Sequence, residues 1–168
     1  MALVIEDGTL VANAYSFVTR AEIIAYAASR GVTIADTADA DILAVKAMDY
    51  LWTLCFAGDL VSEEQGTPFP RSGLVDGDTA EGYEYTIPAG IKRAQMQLAL
   101  DSHNGIDLTP SANPDAALKR SKIGPIEEEF FEAESLTLTG AAPLTVANAL
   151  LAPFLCDSGS MLIRTVRV

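Results

Sequence analysis

Hydrophobic positions along the chain recur with helical period in four stretches. Ile23, Ile24, Ala27 and Ala28 make the first stripe. Thr19 and Glu22 stand in front of it as a T-x-x-E capping box, and Gly31 follows in the C′ position, so a helix is predicted between them. The second stripe is Ala44, Ala47, Met48, Leu51, Leu54 and Cys55, widened by Trp52 and Phe56. Asp39 and Asp41 suit the positive end of that helix, and Gly58 ends it. A third helix begins at Pro88, where a proline loses no hydrogen bond, and Ile91, Ala94 and Leu98 give its stripe as far as Asn104-Gly105. The fourth covers 145–155, with Val146, Ala147, Leu150, Leu151 and Phe154 on one face and Pro153 to kink or shorten it.

The remaining segments lack that period. Residues 1–18 are rich in β-formers with one Asp-Gly turn and are predicted to be an extended arm. A long loop spans 59–82, and loops of that length in a compact domain are usually functional or specially ordered. In "LKRSKIGPIEEEFFEAES" alternation replaces helical period: Lys119, Arg120 and Lys122 precede a bend and Glu127, Glu128 and Glu129 follow it. Pairing of the two halves would set opposite charges across a ladder. Because proline is disfavoured at the third turn position, a bulged or open connection is expected at Gly124-Pro125 rather than a tight one. The tail, "SMLIRTVRV", is β-prone, carries Arg164 and Arg167 and no acid, and needs a strand to pair with.

These elements give a mainly α fold, a small bundle of about four helices with a β-hairpin near 118–131. It is one domain over 1–168, comprising an N-terminal arm 1–18, a helical core 19–157 and a C-terminal arm 158–168. At 168 residues such a domain buries roughly 70% of its unfolded surface. The 49% hydrophobic and 20% charged residues are globular values. Asp and Glu number 23 against 11 Lys and Arg, a net charge of -12 that repels phosphate backbones and anionic membranes. "MALVIEDG" lacks a secretory pattern, and no run of about 18 apolar residues predicts a membrane span. Cys55 and Cys156, far apart and without a CxxC pair, read as two buried thiols of a reducing cytosol.

Motif chemistry is sparse. The single histidine, His103, has Asp101 and Ser102 as sequence neighbours, which do not face it on a helix, so it reads as an exposed or capping residue. One His and two separated Cys do not make a zinc set. Phosphate-cradling glycine motifs are missing, and "DGDTAEG" departs from calcium-loop spacing. Neither a catalytic set nor a cofactor is predicted. Lys119, Arg120 and Lys122 are the basic cluster that could touch nucleic acid, but the acids that follow favour a self-paired hairpin. In "GTPFPRSG", Pro68 and Pro70 restrict the backbone around Phe69 so that its ring can anchor the loop, with Arg71 then offered to a carboxylate.

Six blocks resemble a known family in the right order: "VIEDGTLVANAYSFVTRAEIIAYAASRG", "AMDYLWTL", "FPRSG", "YTIPAGIKRAQMQLAL", "KRSKIGPIEEEF" and "ANALLAPFL". They are similar to the head-to-tail adaptor proteins of tailed bacteriophages, also called connector or head-completion proteins and also labelled DnaT-like. The chain departs from that family's pattern in having Phe69 where tryptophan is common, and in its acidic 127–134 segment. The resemblance implies a non-enzymatic structural subunit of the virion neck, assembled in host cytoplasm into a dodecameric ring under the portal. Its implied partners are the portal protein, neighbouring copies of itself and a stopper or tail-completion protein. Genomic DNA would pass through the channel without specific binding, and no membrane is involved. Candidate interface residues are Lys119, Arg120, Lys122, Ile123 and Ile126 of the hairpin, with Met161, Ile163, Arg164, Val166 and Arg167 of the tail. A single-stranded-DNA-binding module is the competing implication of the DnaT-like label.

Overall fold

The computed structural model describes residues 3–76, 79–82, 86–109, 120–123, 126–129 and 144–156. Four helices, α1 (Arg20–Ala28), α2 (Ala38–Trp52), α3 (Ala89–His103) and α4 (Thr145–Leu151), make the body. Three two-stranded antiparallel pairs join β1 (Asp59–Leu60) to β2 (Arg71–Ser72), β3 (Val75–Asp76) to β4 (Thr79–Gly82), and β5 (Arg120–Ile123) to β6 (Ile126–Glu129). The fold is therefore the mainly helical one predicted, with its hairpin.

Helix starts follow local chemistry. The Thr19 hydroxyl accepts from the Glu22 N–H at 3.2 Å, and a Glu22 carboxylate oxygen accepts from the Thr19 N–H at 2.7 Å. That reciprocal box satisfies two of the donors a helix start leaves open. It also holds the Glu22 carboxyl below the usual range, the Thr19 backbone N–H being the main cause. The C-cap of α1 is Ser29, so Gly31 lies one position later than predicted, in a left-handed turn with φ 76°. Thr37 caps α2 through the Asp39 N–H. At α3, Pro88 stands just outside the helix as its N-cap. Pro153 shortens α4 as expected, the chain passing into a 3-10 turn over Ala152–Phe154.

Helix α3 is the hub, packing on α1, α2 and α4. The core runs through Ile23, Ala27, Ala44, Ala47, Met48, Leu51, Ile91, Ala94, Leu98, Ala147 and Leu151. Gly90 lets α3 close on the end of α4, since a Cβ there would sit 2.7 Å from the Phe154 ring. Five stripe positions depart from prediction. Ala28, Trp52, Cys55 and Val146 are exposed, and Phe56 is buried in a bridge to Leu155 after α2 has ended rather than on its face. Buried Gln95 occupies a polar niche, accepting from the Phe17 N–H at 2.9 Å and donating to Ser16 Oγ at 3.0 Å and the Ala44 carbonyl at 3.1 Å. One amide thus joins the N-terminal segment, α2 and α3.

The N-terminal segment is not an extended arm within the described residues. Ile5 bridges Ser16 in parallel, Ala14, Phe17 and Val18 are buried, and the loop between wraps on the carboxylate of Glu6. Self-pairing plus burial of Phe17 and Val18 gives this segment more than an unpaired strand can obtain in water.

Arg20 links the starts of α1 and α2, donating to Asp41 through Nε at 2.9 Å and through Nη2, and to Asp36 at 3.2 Å. The Arg20 hydrogen bond holds the Asp41 carboxyl below the usual range, and Asp41 in turn raises the guanidinium. A carboxylate lowered in the folded state adds stability above its unfolded pKa and loses it as pH falls through the folded one. Asp41→Asn should therefore lower the thermal midpoint at neutral pH and flatten the acid side of a midpoint-versus-pH curve. An unchanged acid slope would show that the pair contributes nothing.

Candidate functional site

The long loop is built around Phe69. Thr67, Pro68, Phe69 and Pro70 are all buried, and the Phe69–Pro70 peptide is cis. The rings of Phe17, Phe56 and Phe154 meet Phe69 edge-on, with centroids at 6.2, 5.1 and 6.4 Å. These edge-to-face contacts gather the N-terminal segment, the end of α2 and the end of α4 on one side chain. Gln65 closes the loop, donating to the Thr67 carbonyl at 2.7 Å and the Pro70 carbonyl at 3.2 Å.

Arg71 does not meet a carboxylate. Its Nε donates to the Ala57 carbonyl at 2.8 Å, and its Nη2 to the carbonyls of Gly58 at 2.6 Å and Phe56 at 3.2 Å. The planar fork satisfies carbonyls left open after α2, where Gly58 turns with φ 72° and a Cβ would fall 2.3 Å from the Ser72 carbonyl. Burial holds the guanidinium below the usual arginine range, Asp59 partly opposing it. Pro68, Phe69, Pro70 and Arg71 thus form one corner, directed inward.

The hairpin brings Arg120, Lys122, Ile123 and Ile126 together at the backbone level. Its register sets Arg120 opposite Glu129, Lys122 opposite Glu127 and Ile123 opposite Ile126. The open or bulged connection expected at Gly124 and Pro125 falls on residues outside those described. Lys119, Met161, Ile163, Arg164, Val166 and Arg167 lie outside the described residues.

Cys55 and Cys156 are not separate buried thiols. They form a disulfide with Cα atoms 5.5 Å apart, Cys55 at the surface. Backbone bonds flank it, from the Cys156 N–H to the Cys55 carbonyl at 2.9 Å and from the Ala57 N–H to the Phe154 carbonyl at 2.9 Å. With a sequence separation of 101, spacing carries no trace of the pairing.

Among the described residues, no group of three or more His, Cys, Asp or Glu is placed to hold a metal ion. Among those residues no helix is long and apolar enough to cross a membrane. His103 ends α3, exposed. An open depression of about 320 Å³ lies between α2 and the turn after α3, with Lys46, Asp49, Ser102 and Asp107 in its wall.

Three arginines are engaged within the fold. Arg20 holds Asp41 and Asp36, Arg71 holds carbonyls, and Arg30 lies over the Tyr26 ring with its guanidinium carbon 3.4 Å from the centroid. Exposed Arg93 lies near enough to Tyr26 to work against the larger effect of burial, which raises that phenol's pKa. Among the described residues, two aromatic side chains are exposed instead, Tyr15 and Trp52, which no sequence stripe singled out as outward-facing.

No curated protein and no solved structure shows significant similarity to the chain. A protein-family model described as "Putative DnaT-like ssDNA binding protein" matches residues 1–168. Matched over its whole length, the chain belongs to that DnaT-like family.

Proposed function

We propose that this chain is a structural, non-enzymatic subunit of a tailed-phage neck: a head-to-tail adaptor. It joins neighbouring copies in a ring beneath the portal, continues the DNA channel and receives a stopper or tail-completion protein. The observation that carries this reading is how the protein uses its cations. In a chain of net charge -12, Arg20, Arg30 and Arg71 are turned onto the protein itself, while acids such as Asp36, Asp39, Glu63 and Glu64 are left at the surface. Such a surface does not grip phosphate, and a channel wall must let DNA slide. The six family-like sequence blocks, in order along the chain, support the same reading.

The test is the mass of the complex formed with the cognate portal ring. Uptake of a fixed number of copies matching the portal's symmetry is expected. Failure to associate, with both partners folded, would overturn the adaptor role. The family description favours a second reading, single-stranded-DNA binding. Submicromolar affinity for a fluorescent oligonucleotide at physiological salt would put that reading first.

A further inference from the structure

Cys55 and Cys156 are held opposite each other by main chain as well as by sulfur. Phe56 and Leu155 form an antiparallel bridge with a backbone bond on either side. These run from the Ala57 N–H to the Phe154 carbonyl and from the Cys156 N–H to the Cys55 carbonyl, both at 2.9 Å. The Cα separation of the two cysteines, 5.5 Å, is that of directly opposed residues in an antiparallel ladder, and a disulfide spans it. The segments that carry them are anchored independently of the sulfurs. Phe56 is buried with its ring centroid 5.1 Å from that of Phe69, and Phe154 meets the same ring at 6.4 Å. Buried Ala147 and Leu151 seat α4 in the core against α3. Arg71 fixes the backbone just after Cys55 through the Phe56, Ala57 and Gly58 carbonyls. Cys55 itself is exposed, and Cys156 is half-buried.

We propose that this pair is a thiol–disulfide exchange site templated by the finished fold: small monothiols open it and small disulfides close it while the helices stay in place. The attacking species is a thiolate, and exposure decides which sulfur it reaches. A glutathione-like thiolate bonds to the sulfur of exposed Cys55, the bond to Cys156 breaks, and the Cys156 thiolate leaves and takes up a proton. A second monothiol then attacks the small-molecule sulfur of that mixed disulfide and releases Cys55, which is protonated in turn. The protein bond gains two electrons, and the two monothiols that supply them become one small disulfide. Closing runs the same steps backwards, with the small disulfide as oxidant. Because the Phe56–Leu155 bridge keeps the thiols opposed, the half-open pair recloses on itself instead of remaining capped. The bond spans a sequence separation of 101, so the thiol poise of the surroundings sets the stability of a fold whose shape does not change. In thiol-rich surroundings the pair stands open, and in oxidising ones it closes. The inference concerns the single chain and does not rest on the adaptor reading.

The experiment compares the closed full-length chain with the same chain opened by dithiothreitol and freed of the reductant, using far-UV circular dichroism and thermal melting. The open chain is expected to keep the helical signal of the closed one and to melt roughly 10 °C lower. Oxidised glutathione should then close the bond and restore the midpoint, with no glutathione adduct left in the mass spectrum. The Cys156→Ser variant, which leaves Cys55 without its partner, should instead accumulate that adduct. Opening of the native closed chain should accelerate in proportion to reduced glutathione, as direct attack on an exposed sulfur requires. Loss of the helical signal on opening overturns the proposal, because the bond would then be needed to fold. An opening rate that levels off at the rate of unfolding overturns it too, since the sulfur would be reached only in the unfolded chain. Lasting adducts on the folded parent chain do the same, by showing that the fold does not template closure.

Discussion

Truncating Phe69 to alanine is expected to cost about 3–5 kcal/mol, read as a lower urea midpoint at unchanged slope. Phe69 is fully buried, and its ring is the shared partner of Phe17, Phe56 and Phe154, so three segments lose their common contact at once. Thr67 and Gln65 hold the surrounding backbone through the Phe69, Thr67 and Pro70 carbonyls, so the loop cannot collapse freely into the hole. Phe69→Leu keeps much of the volume and should cost about 1–2 kcal/mol. If alanine costs no more than leucine, the ring is not the anchor of the loop.

A second large effect is expected at Glu6. Its carboxylate is 1% exposed and accepts three backbone N–H groups: Gly8 at 2.8 Å and Leu10 at 3.0 Å on Oε1, Val11 at 2.8 Å on Oε2. Those bonds hold a loop in which Leu10 and Asn13 adopt φ of 63° and 56°, a region that side-chain-bearing residues rarely occupy. Glu6→Ala removes all three acceptors, each charge-assisted, and should cost about 3–4 kcal/mol. It should also abolish hydrogen-exchange protection at the Gly8, Leu10 and Val11 amides. Glu6→Gln should be intermediate, since its amide can present one oxygen to Gly8 and Leu10 but turns an N–H toward Val11. Retained protection at all three amides in the alanine variant would mean that the turn is self-supporting.

The helices were legible because their signals are local. The Thr19–Glu22 box, the 44-47-48-51 stripe and Pro153 each act within a turn or two. What the sequence hid depends on closure of the chain. Glu6 reads as one more acid in a β-prone stretch, and only the folding back of 8–11 makes it an acceptor for three amides. Gln95 sits on the buried face of α3, where periodicity predicts an apolar residue. Its polarity is explained by the Phe17 N–H, the Ser16 hydroxyl and the Ala44 carbonyl that meet there. Trp52 adjoins the buried stripe, but its indole N–H follows the Gly66 carbonyl and turns the ring outward. Arg71 was legible as fixed by its prolines, though not in its target, because open carbonyls after a helix leave no mark in a sequence.

The bond between Cys55 and Cys156 also sets the route by which a mechanical load crosses the molecule. Tension applied to the C-terminal segment reaches Cys156 first and passes through sulfur into the chain at the end of α2. It need not peel α4 away from α3, because the force leaves the polypeptide path before reaching that helix. Loads on such a tail are thus borne by a covalent bond and by the longest-packed part of the core, while the short, uncharged α4 is spared.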